Sequence, residues 1–304
     1  SAVEIYQRLS VANPQVYEPD LARTRNNLGC LYDNTQRYKE SEEMYLSVLT
    51  VYQRLTIANL QVYEPDLARA QNNLGNLYRD TQRYKESEEM YLSAVEIYQR
   101  LSVANPQVYE PDLAMVQNNL GLLYSDIQRY EDSEKMHLSA VEIYRRLAAA
   151  NPQVYEPDLA ETQNDLGILY SDTRRYEESE EMYLSAMKVY QRLTVADPQV
   201  YEPYLVRACN NLSFLFLAQG NFEEAERYAR EGAKYDSTHH TIYTNLAASL
   251  LFQGRYAEAE EIYLRYKEEL KEDFLSDFED FYQRGIIPPE REDDVERIKK
   301  LLSK

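Results

Sequence analysis

The string "YEPDLA" begins at Tyr17, Tyr63, Tyr109 and Tyr155, and a variant, "YEPYLV", begins at Tyr201, each copy 46 residues after the last. No other feature of the chain narrows the fold so far. A fixed period in this range marks a protein built by stacking one supersecondary unit, because a single unit cannot bury its own apolar face. Beyond Asn211 the period shortens to 34, where Asn211-Leu212 is answered by Asn245-Leu246. A length of 304 residues alone suggests about two domains, but the repeats make the unit the proper level of description.

Within one unit two helices are expected. The residue before Pro65 is biased away from helix and the proline suits a first helical position, so a helix should open at Pro65-Asp66. It runs through Leu67, Leu74, Leu77 and Tyr78 to about Asp80, where "TQR" breaks the pattern. A second helix is expected from near Tyr84, with Ser87, Tyr91, Ala94, Tyr98 and Leu101 on one stripe. It stops at Asn105-Pro106. Each helix has one apolar face, and only stacking on neighbours buries it.

The stretch "NNLGNLYRDTQRYKESEEMYLSA" resembles a tetratricopeptide repeat. Leu74, Gly75, Tyr78, Tyr84, Tyr91 and Ala94 match its signature positions, with Ser87 where alanine is usual and Gln71 in place of the signature tryptophan. The 34-residue copies match through Leu212, Phe216, Gly220, Phe222 and Ala225, then Leu246, Gly254, Tyr256 and Ala259. The 46-residue unit, with its Pro-containing connection, is similar to the long repeats of kinesin light chains and many bacterial tetratricopeptide proteins. The resemblance covers residues 1 to about 271. It implies an all-α fold, a right-handed superhelical solenoid of antiparallel helix pairs, and a generic binding scaffold rather than any one activity.

The expected organisation follows the repeats. Residues 1–12 form the second helix of a truncated repeat, because "SAVEIYQRLSVANPQVYEPD" at the start equals the stretch beginning at Ser93. Four 46-residue units occupy 13–196, and two units in the 34-residue register occupy 197–271. Two capping helices over 272–304 are separated by Gly285 and Pro288-Pro289, with Phe274, Phe278 and Phe281 packed inward and the acids facing water.

A helical wheel separates packing from binding positions. With the motif leucine as origin and about 100° per residue, the tyrosine four later and the glycine one later define the packing face. Residues five, two and one before the leucine, and two, five and six after it, form the opposite stripe. In the tetratricopeptide fold, the resemblance implies, that stripe lines the concave groove. Across copies it varies widely: Arg23, Arg69, Met115, Glu161 and Arg207 five before; Cys30, Asn76, Leu122, Ile168 and Phe214 two after; Asp33, Arg79, Ser125, Ser171 and Leu217 five after. Tolerance of solvent-facing positions is one reading. Distinct subsites, graded from polar and basic near the N-terminus to apolar near the C-terminus, is the other.

Against this variation the amides persist. Immediately before the leucine stand Asn27, Asn73, Asn119, Asp165, Asn211 and Asn245; two before stand Asn26, Asn72, Asn118, Asn164 and Asn210. A carboxamide pairs with a peptide N–H and C=O together, so a regular row of them suits an extended backbone. The resemblance implies the same use. The alternative is that one Asn of each pair bonds to the neighbouring repeat and fixes stacking. The expected division gives the ligand the Asn next to the leucine and leaves its companion structural. Asp165 lacks a donor and favours a ligand N–H or a cation. Asp80, Asp126 and Asp172, six after the leucine, read as solvated helix ends, or with Glu161 and Asp165 as an acidic wall for Lys or Arg side chains.

No Cys–His pairing, nucleophile elbow or phosphate loop is present, so no enzyme activity, cofactor or metal is expected. His137 replaces a core tyrosine, and the adjacent His239-His240 do not make a metal site by themselves. A net charge of −19 argues against nucleic acid or an anionic membrane as the main partner, and it also keeps a long surface soluble. Cys30 and Cys209 suggest no disulfide framework, so a cytoplasmic location is expected. The leading expectation is a scaffold binding a protein or peptide segment, with basic side chains favoured at the acidic wall. The alternatives are a regulatory arm of a larger bacterial signalling protein, or a module that self-associates through an open N-terminal edge.

Overall fold

The computed structural model describes residues 1–235 and 241–303 and is helical, with no strand among them. Two compact units divide the chain, Ser1–Asn151 and Pro152–Lys304. The first holds α1 (Ala2–Ala12), α2 (Pro14–Asn34), α3 (Tyr38–Ala58), α4 (Leu60–Asp80), α5 (Tyr84–Ala104), α6 (Pro106–Asp126) and α7 (Tyr130–Ala150). The second holds α8 (Pro152–Asp172), α9 (Tyr176–Ala196), α10 (Pro198–Ala218), α11 (Phe222–Tyr235), α12 (Ile242–Phe252), α13 (Tyr256–Arg265), α14 (Lys267–Arg284) and α15 (Glu292–Leu302). Within each unit, helices pack in antiparallel pairs, and each pair packs on the next. First helices also touch one another, α2 against α4 and α4 against α6, then α8 against α10 and α10 against α12. They form an inner wall in each unit.

The helices of the long repeats are 21 residues each, joined by a single Asn or Asp at each corner between repeats. The first helix therefore opens at Leu60, not at Pro65-Asp66 as the sequence suggested. Pro106 and Pro198 take the first helical position, and the second proline of each unit lies inside the helix. Pro65 removes only the bond to the Gln61 carbonyl, and Gln61 is exposed to water, which satisfies it. Its own carbonyl accepts a bond from the Tyr98 hydroxyl at 3.2 Å. Buried Glu64 beside it takes both terminal nitrogens of Arg100, at 2.9 and 2.5 Å. The residues of the longer period are thus additional helix on both members of the pair rather than a longer connection.

The turn inside each repeat is a Schellman closure. In the second full repeat, Arg83 N–H donates to the Tyr78 carbonyl at 2.7 Å and Gln82 N–H to the Arg79 carbonyl at 2.9 Å. The geometry puts Gln36, Gln82, Gln128 and Arg174 at φ of 58–60°, and Gly220 and Gly254 hold the same place in the shorter units. The Arg83 guanidinium stacks over Tyr78 at 4.1 Å and bonds Glu42 of the preceding repeat at 2.6 Å. "TQR" is therefore both a stop signal and an inter-repeat clamp.

The two helices of a repeat approach closely at the motif glycine. A Cβ on Gly75 would lie 2.7 Å from the Tyr91 ring, and Gly29, Gly121 and Gly167 sit equally tight against Tyr45, His137 and Tyr183. At the same crossing Ser41, Ser87, Ser133 and Ser179 donate to the glycine carbonyls at 2.7–3.0 Å. In the next repeat the roles exchange. Ser213 occupies the glycine position and donates to the Ala225 carbonyl at 2.8 Å, and Ala229 replaces the ring. Gly75→Ala should lower stability by about 1–3 kcal/mol through overpacking against Tyr91, despite the better helix former. Urea melts of the variant against the wild type measure it, and an unchanged midpoint would contradict the crossing described here.

Candidate functional site

Asparagines of both rows are engaged with neighbouring repeats. In the first unit Asn73 Nδ2 donates to Asn26 Oδ1 and Asn119 Nδ2 to Asn72 Oδ1, each at 2.9 Å. In the second, Asn211 Nδ2 donates to Asn164 Oδ1, and Asn245 Nδ2 to Asn210 Oδ1, again at 2.9 Å. The Asn beside the leucine reaches back, and its companion receives the next repeat. The amide expected to face the ligand thus also bonds to the neighbouring repeat, as its companion does. Each rung leaves hydrogen-bonding capacity over, because a carboxamide has two donors and two lone pairs. Asp165 has no donor and cannot act as Asn73 does.

The remaining expected site residues fall into two groups. In the first unit Arg23 and Arg69 are exposed, each bridging to an aspartate one turn back, Asp20 at 2.6 Å and Asp66 at 3.4 Å. With Asn26, exposed Asn27 and Tyr52 they line a pocket of about 200 Å³. Arg79 pairs with Asp126 of the next repeat at 2.6 Å, Asn76 accepts from the Tyr91 hydroxyl at 2.6 Å, and Asp80 is exposed at its helix end. Leu122 is half-buried.

In the second unit Glu161 and Arg207 face each other across repeats at 3.5 Å, with the guanidinium over Tyr204. Ile168, Asp172, Asn211, Phe214 and Asn245 surround one cavity of about 340 Å³. Its far wall comes from α14, which crosses the inner wall and which sequence reading assigned only to capping. Phe281 stacks on Phe214 with centroids 6.2 Å apart, and Arg284 reaches Asp172 at 3.5 Å. Leu217, placed on the open stripe by the wheel, is fully buried. The apolar end of the expected gradient is thus filled by the chain's own helix. Nor do all the acids of α14 face water. Asp277 lines the cavity, and burial beside Asp273 and Asp280 pushes its pKa up to about 6. The signal was present in the sequence as acids alternating with Phe274, Phe278 and Phe281, but only the fold shows which face they meet.

His137 is a core residue. It is fully buried, its Nδ1 lies 2.8 Å from Asn118 Oδ1, and burial depresses its pKa to about 4. Leu122 explains the tautomer partner: with no acceptor where Asn76 serves Tyr91, the ring turns to Asn118. Cys30 and Cys209 are free thiols. Among the described residues no group of His, Cys, Asp or Glu is arranged to hold a metal ion, and His239-His240 lie outside them. No described helix is long and apolar enough to cross a membrane.

Tetratricopeptide-repeat family models match residues 21–56, 66–146 together with 112–192, and 216–275, which is well over half of the chain. The chain belongs to the tetratricopeptide repeat family. Among curated proteins none matches it. Its fold is similar to that of BtubC (BKLC) from P. vanneervenii, at 24% identity and a TM-score of 0.63 over 78% of this chain and 87% of that one. Aspartyl phosphate phosphatase F from Bacillus subtilis aligns at 14% identity and a TM-score of 0.67, over 98% of this chain and 74% of that one. A Podosopora anserina putative kinesin light chain with nearly identical repeats aligns at 15% identity and 0.55, over 69% and 97%. At these identities the likeness is one of fold, the all-α superhelical repeat architecture.

Burial of His137 makes a pH prediction. Its folded pKa of about 4 lies below the ordinary 6.5, so the unfolded chain takes up the proton first as pH falls. Its contribution is complete above pH 6.5 and is lost toward pH 4, amounting to about 2 kcal/mol by pH 5. Urea melts at pH 7 and pH 5 should show that loss in the wild type beyond the loss in His137→Phe. Parallel pH profiles would contradict it.

Proposed function

We propose that this protein is a non-catalytic interaction scaffold that holds a segment of a partner protein against its inner wall of first helices. The tetratricopeptide fold itself suggests a protein–protein interaction role. The observation that carries the finer reading is the row of rungs within each unit, each with amide capacity remaining, flanked by side chains that change from copy to copy. A constant row suits a peptide backbone, and the changing flanks suit its side chains. In the first unit the flanks are Arg23, Arg69, Asn27 and Asn76, with Arg79 and Asp126 already paired to each other. In the second they are Glu161, Ile168, Asp172 and Arg207. The partner is a protein or peptide.

Asn73 and Asn119 are poor probes of this reading, because removing either breaks a rung. Arg23 and Arg69 are better: their ion pairs are solvent-exposed, and such pairs are worth little to stability. Arg23→Glu with Arg69→Glu should cut binding to peptides selected from a displayed library by about tenfold or more while the melting midpoint stays within a few degrees. The outer-face variant Glu89→Lys with Lys135→Glu should bind those peptides as the wild type does. Equal binding by the inner-face variant and the wild type would overturn the reading.

A further inference from the structure

The cavity of the second unit combines features that no single helix provides. Asp172 of α8 and Asp273 and Asp277 of α14 put three carboxylates on its wall. The cation that reaches them, Arg284, lies 3.5 Å from Asp172 and is shared with Asp280 at 2.8 Å. Asp277 has no cation within bridging distance among the described residues, and the Thr244 hydroxyl beside it on the cavity wall donates to the Thr241 carbonyl at 3.0 Å. Its raised pKa reports a negative charge held among other negative charges and away from water.

A second feature is independent of the acids. Tyr183 forms the floor of the cavity and is only 3% exposed. In the first unit the equivalent Tyr91 gives its proton to Asn76, and Tyr45 gives its own to Cys30 Sγ. Opposite Tyr183 stands Ile168, which accepts nothing. The neighbouring Ser179 hydroxyl is committed to the Gly167 carbonyl at 2.7 Å. A nearly buried phenol therefore brings a donor to the cavity without a hydrogen-bond acceptor among the described residues, an arrangement that a ligand acceptor would complete. On the same wall the amide nitrogens of Asn211 and Asn245 donate back to the preceding repeat, Asn245 to both the side-chain and backbone oxygens of Asn210, which leaves their side-chain carbonyl oxygens as acceptors.

We propose that this cavity recognises one basic side chain, arginine or lysine, of a bound peptide. Asp277 is the counter-ion for the side chain, and the Tyr183 hydroxyl donates to a carbonyl of the same peptide segment. The proposal rests on the reading of the inner wall as a peptide-binding face and names what its second-unit part selects. Helix α14 is then more than a cap, because it supplies the charge that first helices alone lack. At about 340 Å³ the cavity is at the small end of ligand pockets and suits one residue rather than a folded surface.

The test uses the full chain and N-acetyl-arginine N-methylamide as the probe, followed by calorimetry or NMR titration near neutral pH. The citrulline analogue, which keeps the shape and lacks the charge, is the comparator. The arginine probe should saturate below about 20 mM and bind at least about tenfold tighter than the citrulline analogue. Asp277→Asn should lose that preference while melting no lower than the wild type, since it removes a poorly compensated charge. Tyr183→Phe should weaken both probes alike. Arg23→Glu with Arg69→Glu should leave the titration unchanged, which separates this site from peptide capture by the first unit. No saturation, equal affinity for the two probes, or undiminished preference in Asp277→Asn would overturn the proposal.

Discussion

Within each unit, successive first helices are tied by one bond between two asparagine side chains, and the geometry of the inner wall depends on that rung. Each asparagine costs about 0.5–0.7 kcal/mol of helix propensity relative to alanine, and a part-buried amide bond returns about 1 kcal/mol. The two nearly cancel. What the rung supplies is register: with Asn73 fixed on Asn26, the helices cannot slide or rotate without leaving two half-buried amides unpaired. Other pairs then meet across repeats, Arg79 with Asp126 and Arg207 with Glu161. A doublet is needed because each helix both gives and receives.

Inside the repeat a second constraint operates at right angles to the first. The glycine after the motif leucine admits an aromatic ring, and a serine on the second helix binds the glycine carbonyl at the point of closest approach. The exchange to Ser213, Ala225 and Ala229 preserves the hydrogen bond while reversing donor and acceptor helices and removing the ring. The contact is therefore conserved as a physical requirement even where its residues change places. His137 fits the same frame as a ring of smaller size whose polar edge finds Asn118.

Much of this was legible in the sequence, for identifiable reasons. Period, apolar stripes and turn signals are local or strictly recurrent, and they gave the helix pairs, the end of the first helix near Asp80 and the start of the second near Tyr84. The start of the first helix was misread because both Pro106 and Pro111 satisfy the rule for a first helical position. Only the exposure of the first turn explains why the inner proline is tolerated. The amide rows were visible, but a wheel for one helix cannot tell a ligand from the next repeat, since both lie on that side. Leu217, Phe281 and Asp277 show what the wheel could not place. Leu217 is buried, and Phe281 and Asp277 reach the inner wall from α14, a segment outside the repeat pattern, whose path no periodicity encodes.

The inner walls thus differ in kind. The first unit presents exposed arginines, amides and a small polar pocket, whereas the second is partly occupied by its own α14, which closes the apolar end and adds carboxylates. The common element is the rung, and its role as a register bond is the claim on which the other assignments stand. A double-mutant cycle on Asn26 and Asn73, each changed to alanine singly and together, measures it by urea unfolding. The account predicts a coupling energy of about 0.5–1.5 kcal/mol, with each single variant nearly as destabilised as the double. Additive effects with no coupling would mean that the two amides do not hold the repeats together.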